Sequence, residues 1–132
     1  MTGAFDSGPP VDYAWASDFL ERYARARAEF NISPFVDLFT EDAILRPDPF
    51  EPPLEGTNAI RAYLLRLADE EADVDLTIER HWVSGATILA AWHATFVQRP
   101  DRGHIREAGF LTAEIRSGRC FRLRIWTVVK RG

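Results

Sequence analysis

The hydrophobic period of this chain changes once, at Val74, and that single change restricts the fold more than any motif does. Ahead of it, apolar residues recur at three- and four-residue steps. Trp15, Phe19, Tyr23, Ala26 and Phe30 predict an amphipathic helix from about residue 17 to residue 30. Asn31 stops it, and Ser33-Pro34 supplies the N-cap and first residue of a short second helix bearing Phe35, Val36, Leu38 and Phe39. Ala43-Ile44-Leu45 reads as a brief strand. The next stretch, Arg46 to Gly56, holds prolines at 47, 49, 52 and 53 and cannot be regular structure. Thr57 caps a third helix whose stripe is Ala59, Ile60, Tyr63, Leu64, Leu67 and Ala68, fading in Asp69-Glu70-Glu71. Beyond Val74 the period is two, and turn signals at Ser84-Gly85, Pro100 to Gly103 and Ser117-Gly118 cut the rest into four strands of an antiparallel meander. Helices first and sheet afterwards define one α+β domain, three N-terminal helices packed on one face of a curved, mainly antiparallel sheet.

Requiring the apolar residues to share a face sets the register, because a slip of one residue turns a whole strand over. Val74, Leu76, Ile78 and Trp82 then face the helices with Ile88, Trp92 and Phe96, with Ile105, Leu111 and Ile115, and with Phe121, Leu123, Ile125 and Val129. Leu111 falls beside Trp92 in this arrangement, and Arg80 beside Ala90. Ala90, Ala94, Gly109 and Ala113 leave a hollow among these large side chains, which suits a small apolar ligand unless Tyr63, Phe39 or Phe30 fills it. Arg80 and Glu107 are the ionisable groups assigned inward, and each needs a partner there. For Arg80 that is a helix carboxylate such as Asp37 or an anionic ligand; Glu107 lies near the end of the sheet, in water or at the hollow. On the other face His93 stands opposite Phe110 and Phe110 opposite Trp126, ringed by Leu89, Ala91, Val97 and Val128 and rimmed by Arg106, Glu114, Arg116 and Arg122. An apolar centre with a charged rim is the pattern of a homodimer interface. Cys120 alternates onto this outer face as a packed, unreactive thiol.

With 132 residues the chain has room for one core, and 46% hydrophobic residues are enough to build it. Residues 1–13, with Gly3, Gly8, Pro9 and Pro10, read as a flexible arm ahead of a domain over 14–132. A formal charge of -4 disfavours nucleic acid and anionic lipid as partners. One cysteine excludes an intramolecular disulfide framework, and neither an export signal nor a run of about 18 apolar residues is evident, so a cytoplasmic protein is expected. No Gly-rich phosphate loop, Gly-x-Ser-x-Gly elbow or His-Glu-x-x-His occurs, and His81, His93 and His104 lack the carboxylate spacing of a metal site.

The element order, with Tyr23, Leu38-Phe39, Asp42-Ala43, Asp48-Pro49, Gly56-x-x-Ala59-Ile60-Arg61, Gly118-Arg119 and Arg124 near their usual spacing, resembles the nuclear transport factor 2-like superfamily over about residues 17 to 129. This is the cone-shaped fold of ketosteroid isomerase, scytalone dehydratase and polyketide cyclases. Likeness to ketosteroid isomerase implies that Tyr23 is an oxyanion donor and Asp48 a general base. It also implies a protonated aspartate at or near Leu111, which can donate nothing, so steroid isomerisation itself is not expected. Two readings follow from the resemblance. One is a cofactor-independent isomerase, cyclase or dehydratase for an apolar carbonyl- or hydroxyl-bearing substrate, using Tyr23 and Asp48, with Arg80, Trp92, Glu107 and Leu111 contacting the substrate. The other is a non-catalytic ligand-binding or dimerisation module.

Overall fold

Local capping explains how the helical half begins. The Asp12 side chain accepts the Trp15 N–H at 3.1 Å and opens α1 (Tyr13–Glu29), which ends where Phe30 turns left-handed at φ 56°. These features belong to a computed structural model that describes residues 9–101 and 103–132; residues 1–8 of the expected arm lie outside it. Ahead of α1, the Val11 N–H donates to the Gly85 carbonyl at 2.8 Å and its side chain packs on the core. The second helix, α2 (Ile32–Val36), has its N-cap position at Asn31, two residues before the expected Ser33 cap and without a side-chain capping bond; Pro34 still falls in the first turn, where its missing N–H costs nothing. The third, α3 (Thr57–Glu70), starts from Gly56 rather than Thr57. Gly56 adopts φ 87° while its N–H donates to Ala43 at 2.8 Å, a conformation that L side chains rarely adopt.

Six strands form one sheet: β1 (Phe39–Arg46), β2 (Leu54–Glu55), β3 (Glu71–Ser84), β4 (Thr87–Gln98), β5 (Gly103–Arg116) and β6 (Arg119–Arg131), in the order β2-β1-β6-β5-β4-β3. The meander is antiparallel as expected, and the short β1 runs parallel to β6, with Leu45 beside Leu123. Phe19, Leu20 and Tyr23 of α1, Phe35 of α2, and Ile60 and Leu64 of α3 close over Ile88, Leu111 and Leu123. The fold class expected from the sequence is the one observed.

Register shifts interrupt β1–β6 between Phe39 and Ile44 and β3–β4 between Ala72 and Asp75, and two further bulges and a hairpin overturn expected positions. In β3, Ile78 pairs with Trp92 but Arg80 pairs with Ala91, so Glu79 is an extra residue and every later side chain of the strand changes face. Trp82 is therefore outside, 40% exposed, and Arg80 is exposed with its guanidinium over the Trp82 ring at 5.2 Å. Both expected inward positions are thereby corrected. His81 takes the inward place, stacked on Tyr13 at 4.1 Å. In β6, Phe121 is the extra residue between the pairs Glu114–Arg122 and Ile115–Cys120. That turns Cys120 into the core, where it is fully buried, its Sγ donates to the Arg122 carbonyl at 3.3 Å, and burial pushes its thiol up to about 12. The loop between β4 and β5 starts at Arg99 instead of Pro100, which slides the pair by two residues and keeps the faces. Ala90 thus meets Leu111, Trp92 meets Gly109, and His93 meets Ala108 rather than Phe110; Phe110 does face Trp126.

Candidate functional site

Between the helices and the sheet lies a cavity of about 540 Å³. Its floor is sheet: Leu76 of β3, Trp92, Ala94 and Phe96 of β4, Glu107 of β5, and Ile125 and Thr127 of β6. Tyr23 and Arg27 come from α1, Tyr63 and Leu67 from α3, and Pro47 to Leu54 form the mouth. Of the four small residues expected to outline a hollow, Ala94 alone borders this space; Ala90 and Ala113 are fully buried under the helices. Gly109 has a different role. The Trp92 ring lies against it so closely that a Cβ would stand 2.7 and 2.9 Å from ring carbons Cζ2 and Cε2.

Tyr23, Asp48, Trp92 and Glu107 all border the one cavity. Arg80 does not, because of the β3 bulge, and Leu111 does not, because the two-residue slide seats it in the core at 1% exposure. Asp48 sits at the rim, exposed to water, and its Oδ1 accepts the Phe50 N–H at 2.9 Å while its carbonyl accepts the Glu51 N–H at 3.3 Å. The carboxylate therefore holds a turn of the proline loop.

Deeper in, Arg27 and Glu71, which sequence reasoning passed over, and Tyr63, expected there only as a possible filler of the hollow, complete the site. Arg27 follows Tyr23 by one helical turn and so shares its face. Its guanidinium makes a two-point contact with Glu71, Nη1 to Oε1 at 3.0 Å and Nη2 to Oε2 at 3.2 Å, between side chains only 14% and 9% exposed. Glu71 is the first residue of β3, and Tyr63 lies on the apolar stripe of α3. The spacing of Arg27 from Tyr23 was a signal available in the sequence; the partner of Arg27, 44 residues away, had none.

Burial first, then the charge of Glu71, holds the Glu107 carboxyl above the usual carboxylate range, with Arg27 pulling the other way. Glu107 makes no ion pair among the described residues. Burial also raises Tyr23, with Tyr63 adding to it, and raises Tyr63, so both phenols stay protonated donors at neutral pH. A carboxyl whose proton affinity is raised, in one cavity with two phenols and an ion-paired guanidinium, can exchange protons with an oxygen-bearing molecule.

A cone of three helices on a curved sheet, open at one end into a cavity of this kind, defines a nuclear transport factor 2-like protein. The SnoaL-like domain model matches residues 20–123, and the chain belongs to that family. Among solved structures it is similar to the epoxide hydrolase/cyclase-like enzyme SalBIII, described for pyran ring formation in the polyether salinomycin, with a TM-score of 0.80 and 17% identity over 92% of this chain and 98% of that one. It is also similar to an LEH-like epoxide hydrolase from M. tuberculosis, with a TM-score of 0.74 and 15% identity over 87% and 84%. An NTF2-like protein from Burkholderia xenovorans gives 0.71 and 13% over 89% and 92%. No curated protein matches the chain. No helix among the described residues is long and apolar enough to cross a membrane.

Proposed function

We propose that the chain is a cofactor-independent enzyme that moves protons on an apolar molecule bearing a carbonyl, hydroxyl or epoxide oxygen. The observation that carries this reading is Glu107, a carboxyl raised by burial and without an ion partner among the described residues, in the same cavity as the Tyr23 and Tyr63 phenols. Glu107 serves as general base, removing a proton from carbon in an isomerisation or dehydration, or from water in a hydration. Tyr23 donates to the oxygen on which negative charge grows. Asp48, committed to its backbone turn, shapes the mouth. The epoxide class enters from SalBIII and the M. tuberculosis hydrolase, which share this fold.

Three probes test it: a β,γ-unsaturated ketone, a β-hydroxy ketone and styrene oxide, followed by absorbance or chromatography. Turnover of at least one is expected, rising with pH as Glu107 ionises, on a limb above the usual carboxylate range. Glu107→Gln should cut kcat about 10²- to 10⁴-fold, and Asp48→Asn far less. The same substitution has a readout that needs no substrate. A carboxyl raised on folding leaves the ionised form disfavoured in the native state, so wild-type stability falls as pH climbs from the ordinary carboxylate range through the raised value. Glu107→Gln lacks that loss, and its stability relative to wild type should grow with pH. Saturable binding of the probes with no turnover of any would favour the non-catalytic binding module instead.

The outer sheet face completes the reading as a homodimer interface. Trp82 and Phe110 have ring centroids 5.9 Å apart, and Trp126 and Val128 beside them are 36% and 75% exposed. Aromatic rows of this kind are poor surfaces to leave in water. Sedimentation at micromolar concentration should give a dimer, and Trp126→Glu a monomer or insoluble protein. A wild-type monomer, or a dimer untouched by Trp126→Glu, places the interface elsewhere.

A further inference from the structure

The cavity wall is unevenly charged. Among the described residues, Asp48, Glu51, Glu71 and Glu107 border it against Arg27 and Arg66. Arg27 is neutralised by its two-point contact with Glu71, and Arg66 is 62% exposed at the mouth, 3.8 Å from Glu70. What remains facing the space is Glu107 inside and Asp48 and Glu51 at the rim, none with an ion partner among the described residues. Between them stand aromatic side chains, Tyr23, Trp92, Phe96 and Tyr63, the last with the Arg66 guanidinium already over its ring at 5.7 Å. A separate observation shows polar demand at the same wall. Trp92 is 7% exposed and its Nε1–H has no protein partner among the described residues, a donor whose burial is costly until an acceptor reaches it.

An anion entering this space would meet four carboxylates against two guanidiniums, one of them already paired with Glu71 and the other out in solvent at the mouth. A neutral molecule would leave the carboxylates unpaired. A cation would be attracted at the rim by Asp48 and Glu51, pass among aromatic side chains, and find in Glu107 a carboxylate that lacks a counter-ion among the described residues. We propose that the molecule this cavity accepts is an apolar amine, carrying a basic nitrogen as well as the oxygen on which the proposed reaction acts. The inference rests on the proposed proton-transfer function and narrows its substrate class by charge.

Three compounds on one aromatic frame, 1-naphthylmethylamine, 1-naphthylmethanol and 1-naphthoic acid, test it by calorimetric titration of the purified protein at pH 7. The amine should bind about tenfold or more tightly than the alcohol, and the carboxylate most weakly. Raising salt should shrink the amine's advantage only in part, since rim charges are screened more than those inside. In Glu107→Gln, checked for folding by circular dichroism, the amine-to-alcohol ratio should fall at least fivefold. Should that variant not fold, the double variant Asp48→Asn/Glu51→Gln takes its place and must narrow the ratio at low salt. Carboxylate binding as tight as the amine's, equal affinity for amine and alcohol, a ratio unchanged in the folded variant, or no binding of any of the three at millimolar concentration would each overturn the proposal. Loss of turnover in Glu107→Gln without a charge preference removes this inference and leaves the proton-transfer reading standing; a charge preference with turnover intact in Glu107→Gln does the reverse.

Discussion

Gly109→Ala should lower the stability of the domain by about 3 kcal/mol or more, and the melting temperature by on the order of 10 °C, the largest effect expected of any single added methyl group in the sheet. The cause is positional. A Cβ at 109 overlaps the backbone carbonyl oxygen of Trp126 and crowds Cζ2 and Cε2 of Trp92. A side chain in the way could swing aside, but the Trp126 carbonyl belongs to β6, the strand paired to β5 at this point, so relief requires the two strands to part. The ring contact is the lesser obstacle. Trp92→Leu in the Gly109→Ala background should therefore restore only a fraction of the lost stability, and ligand binding should be impaired in both variants because the cavity floor moves. Denaturant unfolding checks this; a Gly109→Ala protein within about 1 kcal/mol of wild type, a margin small against the usual cost of overpacking, would falsify the close packing of Trp126 and Trp92 on Gly109.

The sequence made the architecture legible because periodicity is a property of whole elements. Three helical stripes and four alternating strands survive small errors of boundary, and the helices-then-sheet order leaves few arrangements. Faces are less robust. Alternation assigns a side only while every residue counts once, and a bulge removes one residue from the count. Glu79 did this to Arg80 and Trp82, and Phe121 did it to Cys120. Neither residue carries a signal that distinguishes it from an ordinary strand position. The slide between β4 and β5 arose differently, from a loop beginning at Arg99, and because it was even it cost Leu111 and His93 their expected neighbours without turning them over. For the site, Tyr23, Trp92 and Glu107 could be placed because each lies on an element whose inner face was read correctly. The pairing of Arg27 with Glu71 depends on how the end of α1 meets the first residue of β3, which no local pattern encodes.

That pairing gives the second large effect. Arg27→Leu strands Glu71, a carboxylate whose residue is 7% exposed, and should destabilise the protein by about 3–5 kcal/mol, the usual result of removing one partner from a buried ion pair. Removing both charges is a different experiment. Arg27→Leu/Glu71→Leu deletes the stranded charge along with its partner, so the double variant should recover most of the loss, and the cycle should return a strong coupling between the two positions. The pair also sets the field at Glu107, since Glu71 raises that carboxyl and Arg27 lowers it. Glu71→Gln keeps the guanidinium and cancels the repelling carboxylate, which should draw the Glu107 carboxyl down. The rising limb of the pH–rate profile, and the pH range over which Glu107→Gln gains stability relative to its parent, should then both shift to lower pH in the Glu71→Gln background. Urea unfolding across pH follows the second shift without any substrate. Additive single losses at Arg27 and Glu71 would mean that the two side chains do not act as a pair, and a Glu107-dependent pH range that stays in place in Glu71→Gln would detach the proposed base from the ion pair beside it.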